Sequence, residues 1–129
     1  MAIETTSPEE YRKMLAEAMS EKALQANVRK LATDHGWKCY CWWSSLHSPK
    51  GWPDLVCIRE GGPDIVGADG GSYTQACAEI IAIELKSERG KPPTPEQVET
   101  HRLLRLGGIP SYIFRPSALL SGEIEEILR

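Results

Sequence analysis

The sequence lacks any apolar stretch that could cross a membrane, and it lacks the features of a secretory leader. Its longest aliphatic run is the four residues Ile80–Ile83, whereas a membrane-spanning helix needs about 20 apolar residues. The first ten residues carry three acids (Glu4, Glu9 and Glu10) and no apolar core segment, which argues against a signal peptide. We therefore expect a soluble protein of the cytoplasm with no membrane partner.

Cysteine is present but lacks the spacing of a metal site or a disulfide framework. The four cysteines are Cys39, Cys41, Cys57 and Cys77, and no two of them form a CxxC pair. Cys39 and Cys41 could face one metal ion, but the chain offers no second pair to complete a structural zinc site. We expect reduced thiols within the fold, as is usual in a reducing compartment.

The chain also lacks the excess of positive charge that is typical of nucleic-acid-binding proteins, since its net charge is −3. The acids are concentrated at the two ends, however: residues 22–122 contain 12 Lys and Arg against 10 Asp and Glu. A cation held by some of these acids would make the central region more positive still. Charge therefore leaves nucleic-acid binding open, and 129 residues suffice for a single domain.

Four helices are predicted from capping residues and apolar spacing. Ser7-Pro8 begins the first helix, and the second helix covers Ser20–Asp34 with an apolar stripe at every third or fourth position. In the third helix, Thr94 is the N-cap and Gln97 completes a capping box, and the helix ends at residues 107–108. The final helix is predicted over Ser117–Leu128.

Four strands are predicted between these helices, at Trp37–Trp43, Asp54–Ile58, Ile80–Lys86 and Ile109–Phe114. Residues 60–78 are rich in glycine and are predicted to form an irregular insertion without a regular element. This order of elements predicts an α/β domain in which helices flank a central mixed sheet.

The second and third predicted strands bring two acids together if they pair antiparallel with Ile58 opposite Ile80 and Val56 opposite Ala82. In that register Asp54 faces Glu84, because directly opposed residues share one face of a sheet. Both faces of the pair are otherwise apolar along most of its length. We expect two central strands that are covered on both sides.

These two carboxylates indicate a metal site. Directly opposed Cβ atoms lie about 4.5–5.5 Å apart, and two carboxylates held that close repel unless a cation or a proton lies between them. Oxygen ligands favour Mg²⁺ or Mn²⁺. Lys86 follows Glu84 on the same face, where its ammonium could stabilise developing negative charge or orient a water molecule. Metal, water and a phosphodiester form a natural combination.

Two segments carry a resemblance to a known family, GWPDLVCIR at residues 51–59 and IIAIELKSERGKPPTPEQ at residues 80–97. They resemble the PD-(D/E)xK nuclease superfamily and, within it, the VRR-NUC (virus-type replication-repair nuclease) domain. The resemblance covers residues 20–129 as one nuclease domain, leaves residues 1–19 as an N-terminal helical extension, and implies the restriction-endonuclease-like αβββαβ core.

The resemblance also implies an activity. Similar domains are Mg²⁺- or Mn²⁺-dependent structure-specific DNA endonucleases that act as homodimers on branched DNA such as Holliday junctions in DNA repair. Stand-alone members come from phages or bacteria, which implies the cytoplasm of a bacterial cell or of a phage-infected host. Two other functions stay open, a non-catalytic DNA-binding or assembly module on the same fold and an RNA-directed nuclease.

Position by position, the resemblance implies roles for six residues. The implied metal ligands are oxygen donors, namely Asp54, Glu84, the backbone carbonyl of Leu85, and Glu21. Lys86 is the implied catalytic lysine, and Gln97 matches the family's helix glutamine near the active site. The implied catalytic set is therefore Asp54, Glu84, Lys86 and Gln97.

Asp64, in a second Pro-Asp pair, is the alternative first ligand, although the short glycine-bounded segment after it fits a loop better than a central strand.

Three residues on the predicted helices also have a purely structural interpretation. Gln97 is also what a capping box requires. Glu21 lies in the first turn of its helix, where a negative charge interacts favourably with the helix dipole. His101 lies one turn after Gln97 on the same helix face, where it either packs or lies near the metal.

Candidate DNA contacts lie in the loop before the second predicted strand and in the segment after Lys86: His47, Lys50, Arg89 and Lys91. Arg102 and Arg105 are further candidates for phosphate contacts. Each of these residues is also typical of a solvated surface.

Overall fold

A four-stranded mixed sheet forms the centre of the fold, and helices flank both of its faces. The computed structural model describes residues 6–41, 49–61, 64–74 and 78–129, with the backbone alone for residues 64–66 and 72–74. In chain order the elements are α1 (Pro8–Ala18), α2 (Glu21–Asp34), β1 (Lys38–Tyr40), β2 (Leu55–Glu60), β3 (Asp64–Val66), β4 (Ser72–Thr74), β5 (Ala78–Leu85), α3 (Pro95–Leu106), β6 (Ser111–Phe114), α4 (Pro116–Leu120) and α5 (Glu123–Leu128).

The strand order of the central sheet is β1-β2-β5-β6. β1 and β5 both pair antiparallel with β2, whereas β6 runs parallel to β5. Without the β3–β4 hairpin, the order from α2 to β6 is αβββαβ, so the predicted α/β fold with a mixed sheet is confirmed.

The predicted helix starts are confirmed by their capping contacts. Ser7 accepts a hydrogen bond from the Glu10 backbone N–H, and the Glu10 side chain accepts from the Ser7 backbone in return. Ser20 accepts from the Ala23 N–H at the start of α2. Such caps satisfy N–H groups that have no partner within the helix, so α1 and α2 begin where the sequence predicts.

The core lies between α2, α4 and α5 on one side and one face of the sheet on the other. Two helix positions at its centre, Leu24 and Leu128, are fully buried. Their neighbours in the cluster are apolar residues of α2, α5 and the strands: Val28, Ala32, Trp37, Leu55, Cys57, Ile81, Ile83, Leu85, Phe114 and Ile124. α1 packs against α4 with Ala16 buried. Within the described part of the chain, no helix is both long enough and apolar enough to traverse a bilayer.

The predicted pairing of β2 with β5 is confirmed residue by residue. Val56 lies opposite Ala82, and Ile58 lies opposite Ile80. The pairing continues to Leu55 opposite Ile83, so the chain just before β2 runs alongside the end of β5. This register decides which side chains meet at that end of the sheet.

The expectation that both faces of this strand pair are covered is wrong for one of them. On the face away from the core, Val56 and Ile58 are half-buried and Ile80 is 37% exposed. Ala82 and Glu84 on the same face are buried, because α3 packs over that end of the sheet. An apolar sequence pattern does not reveal how far a covering helix extends.

The prediction of an irregular segment over residues 60–78 is also wrong. β3 and β4 pair antiparallel as a separate two-stranded sheet, with Asp64 opposite Thr74. The turn between them is closed by the Gly67 N–H, which donates to the Gly71 carbonyl over 2.8 Å. Gly70 adopts a positive φ of 80° in this turn, which glycine tolerates without strain.

The single final helix predicted over Ser117–Leu128 is instead two short helices, α4 and α5. They are separated at Gly122, whose φ of 86° lies in the left-handed region. A residue in that conformation ends the helical hydrogen-bond ladder, so the chain turns and α5 returns to the core.

The last residues of α5 are fastened to the sheet. Trp37 is buried and donates its indole N–H to the Leu128 carbonyl over 2.8 Å. Arg59 at the end of β2 lies over the Trp37 ring, 4.2 Å from its centroid. Its guanidinium donates to the carbonyls of His35, Leu128 and Arg129. Trp42 and Trp43, the last residues of the first predicted strand, lie outside the described residues.

The described cysteines are free thiols. Cys39 and Cys57 are directly opposite each other on β1 and β2, with 2.9 Å between their sulfur atoms. Cys41 is exposed, and its sulfur accepts a hydrogen bond from Arg29. Cys77 lies outside the described residues.

Candidate active site

The site lies at the end of β5, where the chain enters β2. Asp54 is half-buried and directly precedes β2, and its Oδ2 accepts a hydrogen bond of 2.7 Å from the Leu85 backbone N–H. That contact anchors the Asp54 carboxylate to the neighbouring strand, one residue beyond Glu84. Glu84 itself is only 3% exposed. The structure thus brings together the two acids that the strand register predicts.

The pair of acids gives Glu84 an unusual electrostatic environment. Burial raises the pKa of Glu84, and the charge and hydrogen bonding of Asp54 raise it further, to about 8. Lys86 lowers the pKa, and Glu21 raises it. Among the described residues, Oε2 of Glu84 is buried without a hydrogen-bond partner. A buried anionic oxygen without a donor is costly, so this position favours a proton or a cation.

Gln97 on α3 contacts Glu84 and caps its own helix at the same time. Its Nε2 donates to Oε1 of Glu84 over 3.0 Å. Its Oε1 accepts from the Thr94 backbone N–H over 2.9 Å, while Thr94 Oγ1 accepts from the Gln97 N–H. The capping interpretation is therefore confirmed, and the same side chain also reaches the predicted site. The start of α3 and the orientation of Glu84 depend on one amide.

His101 lies one turn further along α3 and is 2% exposed. Its Nδ1 shares a hydrogen bond with the hydroxyl of buried Ser111 on β6. Its Nε2 lies 3.9 Å from Glu84 Oε2, and neither atom has a hydrogen-bond partner among the described residues. Burial, followed by the charge of Arg105, lowers the pKa of His101, which favours a neutral ring. The structure thus places His101 beside Glu84.

Lys86 and Glu21 lie around the same strand end. Lys86 is half-buried, and its backbone N–H donates to the Phe114 carbonyl over 3.0 Å, which holds the end of β5 to β6. Glu21, in the first turn of α2, accepts a 3.4 Å hydrogen bond from the Ser87 N–H. All the predicted catalytic and metal-binding residues therefore cluster at one end of β5, although their chemical roles stay predictions.

Two carboxylates and a nearby main-chain carbonyl fit a hard divalent cation better than a transition metal that prefers nitrogen or sulfur. Within the described ranges, no group of three or more His, Cys, Asp and Glu side chains is arranged to hold a metal. Asp54 and Glu84 offer side-chain oxygens for a cation, and Oε2 of Glu84 has no hydrogen-bond partner among the described residues. The residues present fit the predicted cation.

A glycine sets the distance between the loop before β2 and α3. Gly51 has a φ of 84°, and a Cβ atom at this position would lie 2.6 Å from the Glu96 carbonyl oxygen. Only glycine permits such an approach. Because Gly51 lies three residues before Asp54, this contact positions the first acid relative to α3. This role of Gly51 was not predicted, although the residue begins the first of the two motif segments.

The alternative first ligand, Asp64, lies elsewhere in the fold. Its backbone belongs to β3 of the separate two-stranded sheet, whereas the Asp54 carboxylate is bonded to β5 next to Glu84. The strand contacts therefore favour Asp54 at the site.

The candidate DNA contacts are exposed where the structure describes them, and most have acidic partners. Lys50 is 81% exposed and lies 3.0 Å from Glu96, and Arg89 lies 2.7 Å from Glu17 of α1. Lys91 is exposed. His47 lies outside the described residues.

The two further arginine candidates are engaged by the protein itself. Arg102 pairs with Glu99 one turn earlier in α3. Arg105 donates two hydrogen bonds to the Ser111 carbonyl, which fastens α3 to β6 beside His101.

Comparison with known proteins shows a similarity to a solved structure. No protein-family model matches the chain, and no curated protein matches it. A solved structure described as a VRR_NUC domain superposes with a TM-score of 0.55 over 84% of this chain and 97% of that chain, at 19% sequence identity. At this level of identity the similarity concerns the fold. The chain therefore has the fold of a VRR_NUC domain, as the resemblance of its two motifs predicts.

Proposed function

We propose that this protein is a divalent-metal-dependent nuclease that hydrolyses DNA phosphodiester bonds. The observation that carries the proposal is the pairing of Asp54 with buried Glu84, one of whose oxygens has no partner among the described residues. A proton or a cation resolves this arrangement, and the oxygen donors around it fit a divalent cation. The likeness of the fold to a VRR_NUC domain supports the proposal, as do the two sequence segments that carry the resemblance.

Asp54 and Glu84 would hold the cation, with the Leu85 carbonyl and Glu21 as the further oxygen donors in the proposal. A bound Mg²⁺ or Mn²⁺ would supply a Lewis acid for the phosphate and a means of lowering the pKa of water. The contact from Gln97 keeps one Glu84 oxygen in place. Fixed ligands of this kind cost no reorganisation during the reaction.

Lys86 would supply positive charge at the same strand end. Its charge already lowers the pKa of Glu84, which indicates that the two groups interact. An ammonium in that position stabilises the negative charge that develops on the phosphate, or orients the attacking water. Lys50, Arg89, Lys91 and His47 would contact the DNA backbone, which requires Lys50 and Arg89 to exchange their carboxylate partners for phosphate.

Branched DNA such as a four-way junction is the proposed substrate, and a homodimer is the proposed assembly. The support is the resemblance of the two motif segments to structure-specific nucleases. A two-fold dimer would present two copies of the site to a junction with approximate two-fold symmetry.

The test is cleavage of labelled four-way junction, flap, linear duplex and single-stranded DNA, with single-stranded RNA alongside, in Mg²⁺, Mn²⁺ or EDTA. We expect metal-dependent cleavage, strongest on the junction. Asp54→Asn, Glu84→Gln and Lys86→Ala should each lower the rate by about 100-fold or more, the usual size of losing a group that stabilises the transition state.

Glu99→Gln and Lys30→Ala are matched controls, because each removes one exposed charge of the same sign from an ion pair on a helix surface. Both should cleave as the wild type does. Junction binding without cleavage would instead indicate a binding module, and cleavage of RNA alone would indicate an RNA-directed nuclease. Unchanged cleavage by Glu84→Gln would contradict the proposed site.

A further inference from the structure

We infer that His101 is a positioning residue that donates a hydrogen bond from Nε2 to the second carboxylate oxygen of Glu84, with Ser111 fixing its tautomer. The inference rests on the proposed function, because it assigns a role to His101 within the same site. It concerns the one oxygen of Glu84 that Gln97 does not hold.

The two residues of α3 that face Glu84 lie four positions apart, on one face of the helix. Gln97 Nε2 contacts Oε1 at 3.0 Å, and His101 Nε2 lies 3.9 Å from Oε2. The carboxylate is therefore approached from α3 at both oxygens. Only the second contact is longer than a hydrogen bond, and long hydrogen bonds of active-site groups often shorten in the complex with substrate.

Ser111 is the hydrogen-bond partner of His101 Nδ1, and the direction of that bond decides whether Nε2 carries a proton. A neutral imidazole carries one N–H. If the Ser111 hydroxyl donates to Nδ1, the proton lies on Nε2 and points towards the carboxylate. When Glu84 is ionised, as it is when it holds a cation, the opposite tautomer would direct a lone pair at the carboxylate oxygen and leave both buried atoms without a hydrogen bond, which is costly. A hydrogen bond to the other ring nitrogen sets the tautomer of a histidine in the same way at many sites.

Holding both oxygens would leave the remaining lone pairs of Glu84 directed at a cation, since each carboxylate oxygen accepts more than one bond. Without the donor from His101, the carboxylate is restrained at Oε1 alone. Substitution of a residue that orients a metal ligand typically lowers metal affinity or activity by about 10- to 100-fold. We therefore expect weaker metal binding without unfolding.

The experiment is titration of the full chain with Mn²⁺ alone by calorimetry, together with cleavage measured across a range of Mn²⁺ concentrations. His101→Leu removes the donor, whereas His101→Gln retains an amide N–H near the position of Nε2. Ser111→Ala removes only the hydroxyl that fixes the tautomer. Thr100→Val is the matched control, because it changes the adjacent α3 residue and loses only its bond to the Glu96 carbonyl.

We expect His101→Leu to weaken Mn²⁺ binding by about 10- to 100-fold and to regain cleavage at high Mn²⁺. The Mn²⁺ affinities of His101→Gln and Thr100→Val should stay within a few-fold of the wild-type value. The affinity of Ser111→Ala should lie between that of His101→Leu and that of the wild type. Wild-type affinity in His101→Leu overturns the inference, as does folded His101→Gln with equally weak binding. If His101→Leu does not fold, wild-type affinity in Ser111→Ala overturns it. A wild-type protein that neither binds Mn²⁺ nor cleaves overturns the proposed function and the inference together.

Discussion

Glu84 is a single residue whose ionisation opposes folding. Its carboxyl is buried next to Asp54, which raises its pKa to about 8. In the unfolded chain the same group has its ordinary pKa of 4.5. Between these two values the folded protein binds a proton that the unfolded protein has released, so Glu84 makes the folded state less stable as pH increases.

The first prediction concerns this pH dependence. In EDTA, the free energy of unfolding should decrease as pH is raised from the ordinary pKa of Glu84 towards 8, by more in the wild type than in Glu84→Gln. Urea unfolding at a series of pH values measures the difference between their slopes. Glu99→Gln should keep the wild-type slope across this range, because Arg102 lowers the pKa of Glu99 rather than raising it. Parallel curves for wild type and Glu84→Gln would contradict the prediction.

Between elements, the close approach of the loop before β2 to α3 depends on Gly51. This glycine brings the chain against the Glu96 carbonyl, three residues before Asp54 and one residue from Gln97. The loop and the helix therefore determine together how the two acids and the glutamine meet. Any side chain at position 51 must separate these elements.

The second prediction compares Gly51→Ala with Gly36→Ala. Both glycines have a φ near 85°, but a Cβ atom at Gly36 meets nothing within 4 Å, whereas at Gly51 it meets backbone. Gly36→Ala should cost about 1–2 kcal/mol from backbone strain alone. Gly51→Ala should cost more, and should lower cleavage by about 100-fold if Asp54 moves by 1 Å. Chemical denaturation and the junction assay measure the two effects, and equal behaviour of the two variants would rule out the proposed role of the close approach.

The sequence predicted the strand pairing and the helix starts, because both depend on local patterns. The predicted register of β2 and β5 opposes Asp54 and Glu84, the polar exceptions at one end of two apolar runs. Ser7, Ser20 and Thr94 are caps that act within a few residues. The sequence did not predict the β3–β4 hairpin or the break at Gly122. Short elements depend on turns, and the residues that form a turn are compatible with many other conformations. His101 stayed ambiguous because helical spacing defines a face but not the partner on it.

At the scale of the whole molecule, Arg59 links the sheet to the C-terminal helix. Its guanidinium lies over Trp37, pairs with Glu79 over 2.6 Å, and donates to three carbonyl groups, including that of Leu128. Only a planar group with several N–H donors can make these contacts together. The positive charge of a lysine would not replace these contacts of the guanidinium.

The third prediction is that Arg59→Lys destabilises the protein although it keeps the charge. The loss of charge-assisted hydrogen bonds to the backbone carbonyls of His35 and Leu128 should lower the free energy of unfolding by about 1–3 kcal/mol. Arg102→Lys is the matched control and should change it by less than about 0.5 kcal/mol, because Arg102 is exposed and contacts one neighbour on its own helix. Denaturant unfolding of the two variants measures the difference, and equal midpoints would show that the Arg59 contacts do not contribute.

The contact between Trp37 and Leu128 also has a kinetic consequence. These residues are 91 positions apart in the chain, whereas the contacts that assemble the site, Asp54 with Leu85 and Gln97 with Glu84, span 31 and 13 positions. Closing the longest of these loops costs about 1 kcal/mol more in chain entropy than closing the 31-residue loop. Chain entropy thus favours assembly of the carboxylate pair before the C-terminal helix joins the core. The candidate active site can then form before Leu128 contacts Trp37 at the other end of the sheet.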